Sequence, residues 1–502
     1  MTERIFINTD DVFITEEEQG DIKSVRKSIY SGKHGEDAEV AICVWIWSSA
    51  RLDKLNNCID NILKYTSHIP FKLVLIDNGA GEEVVKYYES IAHDDKLIIH
   101  VSKNISSPHG AGTAMKFVQN KYIAQVLNDC IVTPNWLDNL LTCMKSDEDI
   151  GWVCPMSTNV SNQQQVDIGD LDSIDEIQEF ARNFNISDEK KWEQRLRLMP
   201  ICGLYKREGF DLAGIYDPGY LHEYSDDDLC IRFRRAGYKL ILCKDTFVYH
   251  DHPLSSRNNE VEMSHSILGS RGFNEKFNQI EPWGDMNNFI FHYIETLTLS
   301  KEKENYSILG IDVKCGTPVL DIKNFYRKHG KLTTTSHVLT TNVKYYTDLC
   351  TIADKVVHDN DVHSVGKYYQ GKYDFIVCDE YVNKYFEPVK LLTKLVELLD
   401  EQGFLLFPIK NTYDLNTLLC TLGHAEYRSP ENFVDLHYFN VLLHLQDLST
   451  EIKNVFTIYH YIAETQKNVI KTDLMNLKLL NNADETIDRI MTDTYWICVQ
   501  KK

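Results

Sequence analysis

From Glu39 onward the chain alternates short, wholly apolar runs with stretches of helical apolar spacing, and this alternation narrows the choice of fold more than any other feature. AEVAICVWIW is apolar throughout, LDKLNNCIDNILKY spaces its apolar residues at helical intervals, and FKLVLID is again a buried strand. A strand that is apolar on both faces must be covered on both, as in a parallel sheet flanked by helices. KLIIHV and YIAQVL continue the series, the latter ending at Asn128-Asp129. Residues 157–191 interrupt it with Asn, Gln, Asp and Ser, and read as a long loop with one short acidic helix that can bury little surface. KLILCKDTFVYH then predicts a closing strand pair.

A second α/β series follows: YSILGIDV, a helix near 320–329, SHVLTT, DKVVH, YDFIVCDE, a helix over 388–399, GFLLFPI, and TYWICVQ as an edge strand. A chain of 502 residues exceeds what one core supports. The pattern divides it into an N-terminal extension (1–37), a first α/β domain (38–255), a helical connector (256–303) and a second α/β domain (304–502).

Charge and cysteine usage narrow the setting. Lys and Arg total 53 against 74 Asp and Glu, and the net charge of −21 opposes binding to phosphate backbones, which removes nucleic acid as a partner. No apolar run approaches the length that spans a bilayer, and MTERIFINTDDVFITEEEQGD lacks the regions of a signal peptide. The expected location is the cytoplasm, with no stable membrane insertion. Thirteen Cys are scattered without a CxxC pair, and Cys43, Cys378 and Cys498 sit in apolar runs as buried thiols, which suits a reducing compartment.

Ligands of open parallel sheets bind beyond the carboxyl ends of the strands. Asp77-Asn78-Gly79, Asn128-Asp129 and His250 each end such a strand. One acid there is commonly a cap or turn residue, whereas the three together point to a site. In HEYSDDDLCIRFRR, Asp226, Asp227 and Asp228 precede an amphipathic helix. Capping and the helix dipole account for one of them, and three adjacent carboxylates need a proton, a metal or a cation to offset their repulsion.

Residues 39–253 resemble the family 2 glycosyltransferases of the GT-A fold, which move sugars from nucleotide donors. The resemblance rests on SSARLDKLNNCIDNIL, VLIDNGAGEE, LNDCIVTPNWL, GLYKREGFDLAGIYDPGY and SDDDLCIRFRRAGYKLILCKDTFVYH, in the family's order. It implies an α/β GT-A nucleotide-diphospho-sugar transferase domain with a Rossmann-like mixed sheet. Ser48, Asp77, Asn78, Asn128, Asp129 and Asp228 would bind the donor, Asp77 meeting a uracil or thymine base. Asp129 and His250 would hold Mn2+ or Mg2+, and Asp226 would be the base of an inverting displacement, with Asp228 orienting its helix. His252 shares a strand face with His250 and is the alternative ligand. Two positions depart from the pattern: Leu127 replaces the first acid of the D-x-D motif, and Ser225 replaces the Glu before Asp226. Residues 157–191, lying between Asp129 and Asp226, would form a mobile lid over the donor.

YDFIVCDEYVNKYFEPVKLLTKLVELLDEQGFLLFPIKN resembles the middle of class I methyltransferases that use S-adenosylmethionine, implying a second Rossmann-like, methyltransferase-type α/β domain. In ILGIDVKCGTP only Gly310 and Gly316 remain of the Gly-rich loop, Thr317-Pro318 occupies its turn, and SHVLTTNV lacks the ribose-binding acid. This favours a degenerate module for packing, dimerisation or acceptor docking over active methyl transfer. The leading functional expectation is therefore a metal-assisted, inverting transfer from a UDP- or dTDP-sugar to a protein, peptide or glycan acceptor, with a homo-oligomer allowed. A bifunctional glycosyltransferase and methyltransferase, and a non-catalytic sugar-binding scaffold, are the alternatives.

Overall fold

The computed structural model describes residues 2–7, 38–171, 173–251, 260–299, 303–415, 417, 433–434, 436–459 and 488–502. The chain divides into two units, Met1–Asn287 and Asn288–Lys502.

In the first unit β2 (Val40–Ile46), β3 (Phe71–Asn78), β4 (Lys96–Val101) and β5 (Tyr122–Leu127) are parallel neighbours. They are joined by α1 (Leu52–Thr66), α2 (Glu82–Ser90) and α3 (Ser107–Phe117). Every residue of β2 and β3 is buried, and separate apolar clusters form on the two faces of the sheet, as continuous apolar runs require. β1 (Thr2–Ile7) extends the sheet parallel to β4. The remaining strands are β6 (Cys130–Ile131), β7 (Ile150–Ser157), β8 (Trp192–Arg195), β9 (Cys202–Lys206) and β10 (Lys239–His250). The ten-stranded sheet runs β1-β4-β3-β2-β5-β9-β7-β10-β6, with β8 beside β10. Successive strands step outward from β2 to β4, and β5 then lands on the other flank of β2. That reversal opens a crevice at the carboxyl ends of β2 and β5.

β10 is one strand, where the sequence suggests two. Its pairing with β7 shifts register between Cys243 and Phe247, and Asp245 in this bulge accepts hydrogen bonds from Trp192 Nε1 and Asp188 N, both at 2.8 Å. A bulge lets a polar residue enter a buried strand without ending it.

Helices α4 (Trp136–Ser146), α5 (Ile174–Phe184), α6 (Arg207–Ala213) and α7 (Ser225–Arg235) complete the part of the unit that surrounds the site. The polar segment before β8 is docked more firmly than its composition suggests. Ser173 and Glu176 form a capping box for α5, whose Ile177 and Ala181 pack against Phe247. Asn185 Nδ2 donates to Pro134 O at 2.7 Å, and its Oδ1 accepts from Phe247 N at 2.7 Å. Buried amides bonded to main chain replace the apolar contacts that the sequence lacks. Phe247→Ala is expected to cost about 3–5 kcal/mol in urea denaturation and to speed amide exchange in α5 specifically. Uniform exchange across the unit would show that Phe247 does not anchor the helix.

The second unit is a seven-stranded sheet in the order β13-β12-β11-β14-β15-β17-β16. Its strands are β11 (Tyr306–Ile311), β12 (Thr334–Thr340), β13 (Lys355–His358), β14 (Tyr373–Cys378), β15 (Leu399–Lys410), β16 (Thr450–Tyr459) and β17 (Thr492–Lys501). The first five in that order are parallel, making a doubly wound α/β sheet that reverses at β11 and β14. β17 is not an edge strand as its sequence suggests. It lies antiparallel between β15 and β16, and the mostly half-exposed residues of β16 hide that partner from an apolar reading.

Candidate functional site

Three chain segments converge at the end of β5. After Leu127 the chain turns through Asn128-Asp129 into β6, whose Cys130 pairs with His250, the last residue of β10. Asp251 N donates to Asp129 O at 2.9 Å, closing the junction. His250 Nε2 thereby comes to 3.6 Å from Asp129 Oδ1, with both side chains buried. Its Nδ1 lies 3.3 Å from the Asn159 carbonyl, and its Nε2 faces Asp129. Two electron-pair donors facing each other across such a gap suit a shared cation. Among the described residues no group of three or more His, Cys, Asp and Glu is placed to hold a metal. His252 lies outside the described residues.

The third segment follows β2. Ser48, half-buried, begins a short turn in which its carbonyl accepts from Arg51 N at 3.1 Å. The turn delivers the Arg51 guanidinium onto Asp129 Oδ2, where it also lies 4.5 Å over the Trp47 ring. One turn further, Lys54 Nζ pairs with Asp251 Oδ2 at 3.1 Å. Asn128 is fully buried, and both its Nδ2 and its Oδ1 are unpartnered. Unmade bonds of this kind cost about 1–3 kcal/mol each and cluster where function requires them. Leu127, in place of the first acid, is a partly buried apolar residue against the core.

Asp77 and Asn78 do not present free polar groups. Asp77 Oδ1 accepts from Ala80 N at 2.6 Å and Gly81 N at 3.2 Å, while Oδ2 bonds His100 Nδ1. Asn78 spans the next loop, donating to Ser106 O at 2.8 Å and accepting from Ile105 N at 3.2 Å. Gly110 packs against it so closely that a Cβ there would come within 2.6 Å of Nδ2. Both residues, expected on the donor, build the wall of the crevice in this state.

The acidic run separates by role. Tyr224 takes a left-handed conformation, φ 69°, and releases α7 with Asp226, Asp227 and Asp228 in its first turn. Asp227 is buried against Arg197, Nε to Oδ1 2.6 Å. Asp228, expected to orient its helix and to bind the donor, is fully buried between Arg232, at 2.6 Å, and Lys276, which also reaches Asp217 at 2.5 Å. Its carboxylate is spent on holding the helix. Half-buried Asp226 is pushed up to about 7 by burial and by the Asp227 carboxylate, against the pull of Arg197. Ser225, in place of an acid, donates its hydroxyl to His222 O at 2.7 Å. The compensating cations were the part that motif reading missed. Arg197 and Lys276 are remote in sequence, and only the Arg at i+4 from Asp228 was recognisable by spacing.

Residues 43–210 match Glycosyl transferase family 2. The family 2 match takes in the Ser48 turn, Asp77 and Asp129 and stops short of Asp226 and His250. The uncharacterized protein y4gI of Sinorhizobium fredii (strain NBRC 101917 / NGR234) is 23% identical over 223 residues, 42% of this chain, which thus spans only 24% of that protein's length. Among solved structures, GalNAc-T7 with UDP, GalNAc and Mn2+ shares 12% identity over 55% of this chain and 62% of its own, with a TM-score of 0.37. A mannosyltransferase from Pyrobaculum calidifontis in complex with GDP-Man and Mn2+ shares 14% over 53% and 74%, at 0.35. A SAM-dependent methyltransferase from Archaeoglobus fulgidus shares 16% over 46% and 99%, at 0.31. Residues 43–210 thus resemble family 2 glycosyltransferases.

In the second unit the loop after β11 has left-handed backbone at Asp312, Lys314 and Gly316, although only the last is glycine. Asp312 Oδ2 accepts from Thr341 Oγ1 at 2.8 Å and from the Tyr385 hydroxyl, tying together the ends of β11, β12 and the segment after β14. β12 ends at Thr340 and is followed by Thr341-Asn342, with no acid at the strand end. These residues do not fit S-adenosylmethionine. Isothermal titration with it is expected to give no heat of binding, and micromolar binding would contradict this reading.

Proposed function

We propose that the first unit is an inverting, metal-assisted glycosyltransferase that moves a sugar from a UDP- or dTDP-sugar to a protein, peptide or glycan acceptor. The observation that supports it most is the facing pair Asp129 and His250 at the switch-point crevice, on a chain that also carries an acid tuned to about 7 at the head of α7. Asp129 Oδ1 and His250 Nε2 would hold Mn2+ or Mg2+, which when bound would neutralise charge on the departing diphosphate. With Nδ1 donating to the Asn159 carbonyl, Nε2 would be the atom that meets the metal.

In the proposed reaction Asp226 takes the proton of the acceptor hydroxyl. The acceptor oxygen forms a bond to the sugar's anomeric carbon as the bond from that carbon to the diphosphate oxygen breaks, the electron pair leaving with the diphosphate. A base with a value near 7 is matched to neutral operation. kcat/KM should therefore rise about tenfold per pH unit below 7 and level off above it. A profile flat from pH 5 to 8 would remove Asp226 as the base. Among the described residues no helix is long and apolar enough to cross a membrane. Incubation with UDP-glucose, UDP-N-acetylglucosamine, UDP-galactose and dTDP-rhamnose, with Mn2+, should show slow release of nucleotide from at least one. No release from any, with or without the metal, counts against the proposal.

A further inference from the structure

The reading of the crevice as a donor site leaves Arg51 unexplained. Its guanidinium is bonded to Asp129 Oδ2, the same carboxylate whose other oxygen faces His250. A cation in that place competes directly with a metal ion for Asp129. Yet the guanidinium is only partly satisfied, since its Nε is buried and unpartnered. The adjoining Asn128 amide is likewise buried and unpartnered at both atoms. The neighbourhood of Asp129 thus offers two unpartnered N–H donors, Arg51 Nε and Asn128 Nδ2, which suit an oxygen-rich anion. The charges tell the same story. Asp129 and Asp251 are paired one to one with Arg51 and Lys54, so these two carboxylates are balanced before anything binds. A divalent cation alone would upset this balance, whereas a cation arriving with a diphosphate would preserve it.

We propose that Arg51 is a donor-binding residue whose guanidinium passes from Asp129 to a phosphate oxygen of the nucleotide diphosphate as the metal takes Asp129, so that metal and nucleotide enter together. Trp47, under the guanidinium at 4.5 Å, is a platform on which it can turn without losing its support. Asn128 then donates to the same diphosphate. Lys54, tethered to Asp251 at 3.1 Å, supplies a second positive charge one helical turn away. The arrangement compensates for Leu127, which leaves the metal with one acid fewer than the resemblance would give it. The proposal rests on the donor reading, and the following experiment separates failure of one from failure of the other.

Mn2+ alone, UDP alone in EDTA, and UDP with Mn2+ are titrated calorimetrically into the full-length wild type, Arg51→Met and Arg51→Lys, with melting temperatures confirming that each folds. The wild type should bind Mn2+ weakly alone and markedly better with UDP, and linkage requires UDP to gain by the same factor. Arg51→Met should bind Mn2+ alone more tightly, because its competitor is gone. It should bind UDP in the presence of Mn2+ more weakly by roughly ten- to a hundredfold, change little in EDTA, and show a smaller mutual enhancement. Arg51→Lys should recover part of the UDP affinity. If Arg51→Met matches the wild type with Mn2+ alone and with UDP plus Mn2+, Arg51 is a structural ion pair and the proposal falls while the donor site stands. If the wild type binds no UDP under any condition, the donor reading itself falls and takes the proposal with it.

Discussion

Asp226→Asn is expected to reduce sugar transfer by roughly 10²–10⁴-fold and at the same time to raise the melting temperature above neutral pH. Both effects come from one feature, the value near 7 that burial and Asp227 impose on this carboxyl. The folded state favours its protonated form, so the stability associated with that proton is complete below about pH 4 and is lost as pH rises through about 7. At pH 8 the wild type carries an ionised, half-buried acid beside Asp227, and asparagine does not. Discounted for the solvent that reaches the group, the gain is on the order of 1–2 kcal/mol, or roughly 2–8 °C, and it should vanish as pH falls below 4. Nucleotide binding should be unchanged, because the amide keeps the volume of the acid. A variant that is both inactive and less stable at every pH would show Asp226 to be structural.

Asp129→Ala and His250→Ala should each weaken UDP binding in the presence of Mn2+ by on the order of a hundredfold. They should differ once the metal is removed. Without Asp129 the Arg51 guanidinium has lost its carboxylate and is free for phosphate, so metal-free UDP binding should hold or tighten. Without His250 the Arg51 pair is intact, and metal-free binding should match the wild type. Titrations in EDTA and in Mn2+ read both effects. Equal behaviour of both variants and the wild type under the two conditions would place the metal elsewhere.

The sequence exposed the parallel core because β2 and β3 are buried on both faces, and a strand in that position must be apolar at every residue. It likewise located the strand ends that meet at Asp129 and His250. It could not show that Asp77 is bonded within its own turn and to His100, because that bond depends on the register of β3 and β4, which pairs Asp77 with His100. Nor could it show Asp228 between Arg232 and Lys276, or Arg51 on Asp129, since these contacts join residues 48 and 78 positions apart in the chain. The polar segment before β8 misled for a related reason. Its Asn and Gln side chains look solvated in composition, yet Asn185 is bonded to main chain in the interior. Apolar periodicity reports which faces are covered, and it is silent about which polar groups find one another.

The central claim is that the carboxyl ends of β5 and β10 form a metal-diphosphate site. Crystals grown with UDP and Mn2+, with anomalous data collected at the manganese edge, test it most directly. The expected result is a single anomalous peak within coordination distance of Asp129 Oδ1 and His250 Nε2, with diphosphate oxygens completing its shell and Arg51 moved from Asp129 onto a phosphate. A peak bound by other residues, or UDP ordered elsewhere in the chain, would contradict the account.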